Sequence, residues 1–388
     1  MRDVAAGPAV RAPPDSGDTA AGPDTRRRRV TAGRGPRRPR PAGPVYSRRV
    51  TNSAAPTTPD PVSRSGLPAA RLRETYRLMA LARALDERAW ILNRSGRVHF
   101  VISAQGHEGA EAGICAALTP GRDWLLPYYR SMAAVLAFGM TPREVMLQQF
   151  GRADDPGSGG RQMPAHYGGA AYRIFSSSSP VGTQALHAAG IALASKLRGE
   201  SQVAAVMMGE GASNQGDVHE ALNFAAIHRL PMVLLVENNG YAISVPAEKQ
   251  VAVRDLAVRA AGYNMPGVIV DGTDVLGCYL AMRDAVARAL AGDGPTFIEA
   301  KVTRLTGHSS DDQQTKYRTE EDLAAGRGRD PLPAFRDELR AAALLDEAAE
   351  AAITAEVRGL VEDATDFAEA AADPDPGTLT RHVYAEPG

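Results

Sequence analysis

Residues 209–244 read GEGASNQGDVHEALNFAAIHRLPMVLLVENNGYAIS. The apolar run Val203–Met208 leads into Gly209-Glu210-Gly211, and a helical stretch, Gly216–Ile227, follows. A second apolar run, Met232–Glu237, leads into Asn238-Asn239-Gly240-Tyr241. Strand, turn, helix and strand in this order form the unit of a parallel sheet. The same alternation continues on both sides. Helices are predicted over Ala185–Leu197, Val253–Ala261 and Val275–Ala291, and strands over Gly267–Val270 and Thr296–Val302. The expected fold is α/β with a doubly wound parallel sheet, whose ligands sit at the carboxyl ends of the strands.

Both turns then fall on one edge. Glycines 209 and 211 permit a tight turn and close backbone approach. Glu210, the Asn239 amide and the Tyr241 carbonyl make an all-oxygen set suited to Mg²⁺, which completes its octahedron with phosphate oxygens and water. The start of the helix offers N–H groups to an anion. Taken alone, Gly-Glu-Gly and Asn-Asn-Gly are ordinary turn sequences. Together, each after an apolar strand, they suggest a diphosphate and its metal. The GxGxxG dinucleotide alternative fails, because Asn214 stands where the third glycine belongs.

The remainder of the 388 residues bounds the reading. A net charge of −1 argues against a nucleic-acid backbone as main partner. Cys115 and Cys278, the two cysteines, exclude a disulfide scaffold and suit a reducing cytosol, so a cytoplasmic location is expected. Apolar runs such as Met232–Val236 are far short of a membrane span. Residues 1–65 are rich in Pro, Gly, Ala and Arg, with Arg26–Arg29 and RGPRRPRP at 34–41, and read as a disordered tail. Asp15, Asp18 and Asp24 argue against a transit peptide, and a basic partner-binding arm is the alternative. A single domain is expected over 66–388. Its 66–150 part is helical, with Leu72, Tyr76 and Met79 at helix spacing; 151–325 is the core; 326–388 is a helical end. GRADDPGSGGRQMPAHYGG, 151–169, reads as a long loop.

Several separate segments resemble the alpha subunit of the thiamine-diphosphate-dependent decarboxylating component of 2-oxo acid dehydrogenase complexes. They are FVISAQGHEG at 100–109, LPYYRSM at 126–132, GRQMPAHYG at 160–168, SSSSPVGTQ at 176–184, the 209–244 motif and GHSSDDQQTKYR at 307–318. GRQMPAHYG is nearer to branched-chain enzymes than to pyruvate enzymes. The resemblance implies decarboxylation of a branched-chain 2-oxo acid on thiamine diphosphate, and transfer of the acyl group to a lipoyl acyltransferase core. By the same resemblance Glu210, Asn239 and the Tyr241 carbonyl hold Mg²⁺. Gly209, Gly211 and Ala212 line the diphosphate, Tyr129 and Arg130 contact the cofactor, and Ser179 and Val181 meet its rings. Ser178, Pro180, Thr183 and Gln184 match a monovalent-cation site, or else form a polar capping turn. Phe100, Met163 and His166 fall near the substrate.

Glu237 departs from the animal branched-chain pattern, which has an arginine near the diphosphate. The resemblance therefore leaves more of the phosphate binding to Arg130, Mg²⁺ and His308. His308 lies in a polar loop after a strand and corresponds to a catalytic histidine, where a group titrating near neutrality suits proton transfer. His99, His107, His187, His219, His228 and His382 read as surface or satisfied core. Ser309 matches a serine phosphorylated in animal members, and a phosphate there would repel a diphosphate. The glutamate that activates the aminopyrimidine belongs, in this family, to a separate beta subunit. The resemblance thus implies half of an active site, completed in an α₂β₂ assembly. The alternatives are the alpha subunit of a pyruvate or acetoin dehydrogenase, and a non-catalytic thiamine-diphosphate-binding protein.

Overall fold

The computed structural model describes residues 60–381 and 383–384. The expectations for residues 1–59, a disordered tail or a basic arm, lie outside the described residues, as does His382. Structure is described within the stretch expected as a tail, at residues 60–65. Asp60 accepts the N–H groups of Val62 and Ser63, Pro61 starts a short helix, α1 (Pro61–Ser65), and Gly66 closes it at φ 76°. An acidic N-cap, an N1 proline and a left-handed glycine are sufficient signals for one helical turn. Residues 61–65 are therefore structured, with Pro61 and Ser65 buried.

The next helix, α2 (Ala69–Arg94), carries the expected stripe, and Leu72, Tyr76 and Met79 pack with Phe335 and Leu339. Helices α3 (Glu108–Cys115), α4 (Met132–Ala137) and α5 (Pro142–Phe150) follow, the last opened by a Thr141/Glu144 capping box. Between α3 and α4 lies a strand, β1 (Trp124–Leu126), inside the part read as helical. Three residues give too short a pattern to show a period of two, and pairing with the next strand decides the conformation. The glycine-rich stretch is a loop, as expected. Asp155 gathers it by accepting the N–H groups of Gly157 and Ser158.

The sheet residues form β2 (Ala204–Gly209), β3 (Met232–Asn238), β6 (Gly267–Asp271) and β7 (Thr296–Lys301), with a two-residue ribbon of β4 (Tyr241–Ala242) and β5 (Val245–Pro246). Helices α6 (Gln184–Arg198), α7 (Gly216–His228) and α8 (Val275–Leu290) lie between them. Only the helix expected over Val253–Ala261 differs, being a 3₁₀ segment, Leu256–Tyr263. The five long-range strands run in the order β1-β2-β3-β7-β6, every pair parallel. A parallel sheet covered on both sides takes continuous apolar runs, which is what AAVMMG and MVLLV provide.

Successive residues serve opposite sides. Ala204, Val206, Met208, Leu234 and Val236 pack with α6 and α7, whereas Ala205, Met207, Val233 and Leu235 pack with the α8 side. Each fully buried large aliphatic side chain contributes roughly 1.5–3 kcal/mol. A one-residue slip of β3 would exchange the two faces, so packing fixes the register that sets Gly209 beside Glu237. The chain closes with α9 (Glu320–Arg327), α10 (Pro331–Ala341) and α11 (Glu347–Ala370). No helix among the described residues is long and apolar enough to cross a membrane.

Candidate functional site

The parallel register delivers the ends of β2 and β3 side by side. Glu210, only 1% exposed, follows β2; its Oε2 accepts the Asn239 N–H at 3.4 Å, and its buried Oε1 has no partner among the described residues. Burial pushes the Glu210 carboxyl up. A buried carboxylate oxygen with no donor is costly unless a cation or donor meets it. Asn239 Oδ1 accepts the Tyr241 N–H at 3.1 Å and retains a second lone pair. A Cβ on Gly211 would lie 2.6 Å from the Ala242 Cβ, so only glycine lets the two loops approach this closely. Tyr241 stands opposite Pro246, which has no N–H to give its carbonyl.

Two buried guanidinium groups interact with one another nearby, and the charge of one of them, Arg130, acts on Glu210. Arg130, also 1% exposed, donates to the Ser103 carbonyl, to His308 Nδ1 at 3.1 Å and to the His308 carbonyl at 3.0 Å. Arg304 donates to the Ile243 carbonyl at 3.0 Å and to the Tyr317 hydroxyl at 2.6 Å. Neither is hydrogen-bonded to a carboxylate among the described residues. A buried cation left without an anion is expensive. Tyr129 lies beside them, with the Arg130 guanidinium 5.2 Å from its ring centre and the His308 ring 6.0 Å away edge-on.

His308 does not titrate near neutrality here. Burial and the charges of Arg130 and Arg304 hold it down to about 4. The geometry agrees, because arginine can only donate, so Nδ1 is a lone pair and Nε2 carries the proton. Between pH 4 and 6.5 the unfolded chain then binds more protons at this residue than the folded chain, and stability falls as pH falls. Melting temperatures of the chain across that window are expected to drop more steeply for wild type than for His308→Gln. Equal slopes would show that His308 is already protonated in the fold. Ser309, beside it, is buried, and Asp312 fixes the loop by accepting the His308 N–H at 2.6 Å.

The turn from Ser178 to Gln184 packs against the start of α7, where a Cβ on Gly182 (φ +91°) would lie 3.0 Å from Gln215. Within it the Thr183 hydroxyl donates to the Pro180 carbonyl at 3.1 Å. Gln184 donates to the Met207 carbonyl at 3.1 Å and accepts the Gly182 N–H at 3.1 Å. Ser179 lies 2.5 Å from His166 Nε2. The other His166 nitrogen faces the Met163 carbonyl at 2.9 Å and is therefore its protonated one, so Ser179 donates. Met163 is 53% exposed, and Phe100 is half-buried on another segment, joined to the His308 loop through Val101 and Ser310. Phe100 and Met163 share no hydrogen bond among the described residues.

Arg304 was not read from the sequence, nor was the buried cluster around Glu237. Glu237, expected near the diphosphate position, is instead fully buried on the opposite face of the sheet from Glu210, the side of Val233 and Leu235. There it meets His107 Nδ1 at 2.5 Å and the Tyr128 hydroxyl at 2.6 Å. Glu111 lies in the same buried cluster, its carboxyl pushed well up by burial and by Glu237 and Glu108. A glutamate ending an apolar strand needs a buried partner, and His107 in FVISAQGHEG was the available one.

The edge of the parallel α/β sheet thus carries a buried carboxylate oxygen without a donor and two buried guanidinium groups without a carboxylate hydrogen bond, all among the described residues. A family model described as dehydrogenase E1 component matches residues 76–377, and the chain belongs to that family. The 2-oxoisovalerate dehydrogenase subunit alpha of Bacillus subtilis is 49% identical over 313 residues, covering 81% of this chain and 95% of that protein. The 3-methyl-2-oxobutanoate dehydrogenase subunit alpha of Mycobacterium tuberculosis H37Rv is 39% identical over 320 residues, 82% and 84% of the two chains. The mouse mitochondrial 2-oxoisovalerate dehydrogenase subunit alpha is 35% identical over 322 residues, 82% and 72% of the two chains.

Proposed function

We propose that the chain is the alpha subunit of a heteromeric, cytoplasmic, branched-chain 2-oxo acid dehydrogenase. It decarboxylates the 2-oxo acid on thiamine diphosphate and passes the acyl group to a lipoyl acyltransferase. One observation carries the reading. Arg130 and Arg304 are buried cations with no hydrogen bond to a carboxylate among the described residues, and the Arg130 charge acts on Glu210, whose buried Oε1 has no donor among them. A diphosphate with Mg²⁺ satisfies both at once. The names of the relatives favour a branched-chain substrate over pyruvate.

When bound, the cofactor supplies the nucleophilic carbon and the electron sink for decarboxylation. The chain's own residues bind and orient it. Glu210, Asn239 Oδ1 and the Tyr241 carbonyl would hold Mg²⁺, and Gly209, Gly211 and Ala212 leave space for the phosphates. Arg130 offers a fixed guanidinium fork, and Tyr129 flanks it. Ser179 and Val181 would contact the rings, with His166 oriented by Ser179 toward the substrate side, along with Phe100 and Met163. His308 presents Nε2–H as a donor to an oxygen of the reacting group. The Ser178–Gln184 turn is the proposed monovalent-cation site through Ser178, Pro180, Thr183 and Gln184. A beta subunit would supply the missing carboxylate in an α₂β₂ assembly built on a doubly wound, thiamine-diphosphate-binding fold.

The substrate class is tested with the chain assembled with its beta partner, assayed for carbon dioxide release over a panel of 2-oxo acids. Branched substrates are expected to show kcat/KM at least about tenfold above pyruvate, since one or two methyl groups in an apolar pocket are worth about 1–3 kcal/mol. A preference for pyruvate would overturn the branched-chain reading.

A further inference from the structure

Glu237 takes no part in the metal and diphosphate sites proposed above, yet it is joined to them. Its Oε2 accepts from the Tyr128 hydroxyl at 2.6 Å and lies 2.5 Å from His107 Nδ1. His107 Nε2 in turn lies 3.4 Å from the Asn239 side-chain nitrogen. Glu237, His107 and Tyr128 are all buried.

The cluster invites a rival reading as a metal centre, since candidate ligand atoms of His107, Glu111 and Glu237 lie within 4.8 Å of one another. Nitrogen and oxygen ligands each about 2.0–2.2 Å from one ion stand about 3 Å or more apart. At 2.5 Å, Nδ1 and Oε2 share a proton instead. A carboxylate can only accept, so Nδ1 carries that proton, and Nε2, which faces an amide nitrogen that can only donate, is a lone pair. Facing a lone pair, Asn239 must present its NH₂. Its Oδ1 is thereby turned the other way, where it accepts the Tyr241 N–H at 3.1 Å. The Tyr241 N–H and the His107 lone pair thus hold the amide from its two ends, and loss of the His107 end leaves only the Tyr241 N–H against a half-turn that would point hydrogens at the cation.

We propose that Glu237, acting through His107, is a positioning residue that fixes the Asn239 amide with its oxygen toward the metal position. The chain of hydrogen bonds is Glu237 to His107 to Asn239, and it resembles the carboxylate–histidine pairs that orient ligands in metal sites generally. This inference rests on the Mg²⁺ assignment made under the proposed function.

The test is a Mg²⁺ titration of the chain assembled with its beta partner, stripped of metal and held at saturating thiamine diphosphate. Loss of an outer partner typically weakens a metal about 10–100-fold, and His107→Leu is expected to raise the Mg²⁺ dissociation constant by that much. His107→Gln, which keeps an acceptor, should recover most of the affinity. The decisive comparison is in an Asn239→Asp background, where both side-chain oxygens accept and nothing needs orienting. There, His107→Leu should cost nothing further. Equal losses in both backgrounds would mean that the network is structural only, and would overturn the inference. Should His107→Leu fail to fold, Glu237→Gln takes its place in both backgrounds, because its amide can donate to Nδ1 and reverse the tautomer. Glu210→Ala separates the two levels. If it leaves Mg²⁺ affinity unchanged, the metal assignment falls and the positioning role with it. If it abolishes affinity while His107→Leu does not, the positioning role alone falls.

Discussion

Purified without a partner, the chain is expected to release no measurable carbon dioxide from a branched-chain 2-oxo acid at saturating thiamine diphosphate and Mg²⁺. Adding the beta chain should raise the rate by at least roughly 100-fold, the scale at which a single preorganised catalytic group acts. The reason is the disposition of the acids. Glu210 accepts the Asn239 N–H at the strand ends, Glu237 holds His107, and Asp312 holds the His308 loop. The described hydrogen-bond partner of Ser179 is His166, and none of these carboxylates reaches the turn proposed to meet the cofactor rings. That turn is also open, with Ser179 and Pro180 exposed and Val181 half-buried. An open site leaves its charges in water, where they act weakly. On the adjoining helices α6 and α7, Leu186, Leu197, Phe224 and Ile227 expose apolar surface of the kind that partners cover. Substantial turnover by the chain alone would contradict the composite site.

The second large effect is expected at His308. Replacing it by alanine in the assembled component should lower turnover by about 10²–10⁴, the range for a positioned proton donor or acceptor. Melting temperature should move little, because His308 is half-buried and contributes no large apolar surface. The reason is geometric. Arg130 occupies Nδ1, so Nε2–H is the free donor, and the Asp312 carboxylate holds the loop through the His308 backbone. Steady-state kinetics and a thermal melt on one preparation decide it. Full turnover after substitution would return His308 to a bystander role.

The strands and helices of the sheet were legible because buried parallel strands and their crossover helices alternate in unbroken apolar runs. β2 and β3 fall within one residue of their predicted limits, and so do α6 and α7. Glu210 and Asn239 could be found for the same reason: residues just past parallel strands share an edge. Three kinds of feature stayed hidden. β1 is too short to show a period, and its conformation comes from pairing Leu125 with Ala205. The helix at 61–65 is one turn set by caps, embedded in a composition that reads as tail. His107 and Glu237 are 130 positions apart, and no local pattern announces a hydrogen bond between them. The low pKa of His308 is hidden likewise, because it depends first on burial and then on Arg130, which arrives from a distant segment to join the nearby Arg304.

The central claim is that the carboxyl ends of β2 and β3 bind a diphosphate through a metal. Titrating thiamine diphosphate into the chain assembled with its beta partner, with Mg²⁺ present and then with the metal chelated, tests it most directly. Wild type is expected to bind with Mg²⁺ and to lose most of that affinity on chelation. Glu210→Ala should bind weakly in both conditions, by at least about 100-fold, since a direct ligand matters no less than the outer partners worth about 10–100-fold. Binding that ignores Mg²⁺, or a Glu210→Ala variant that binds as wild type does, would contradict the account.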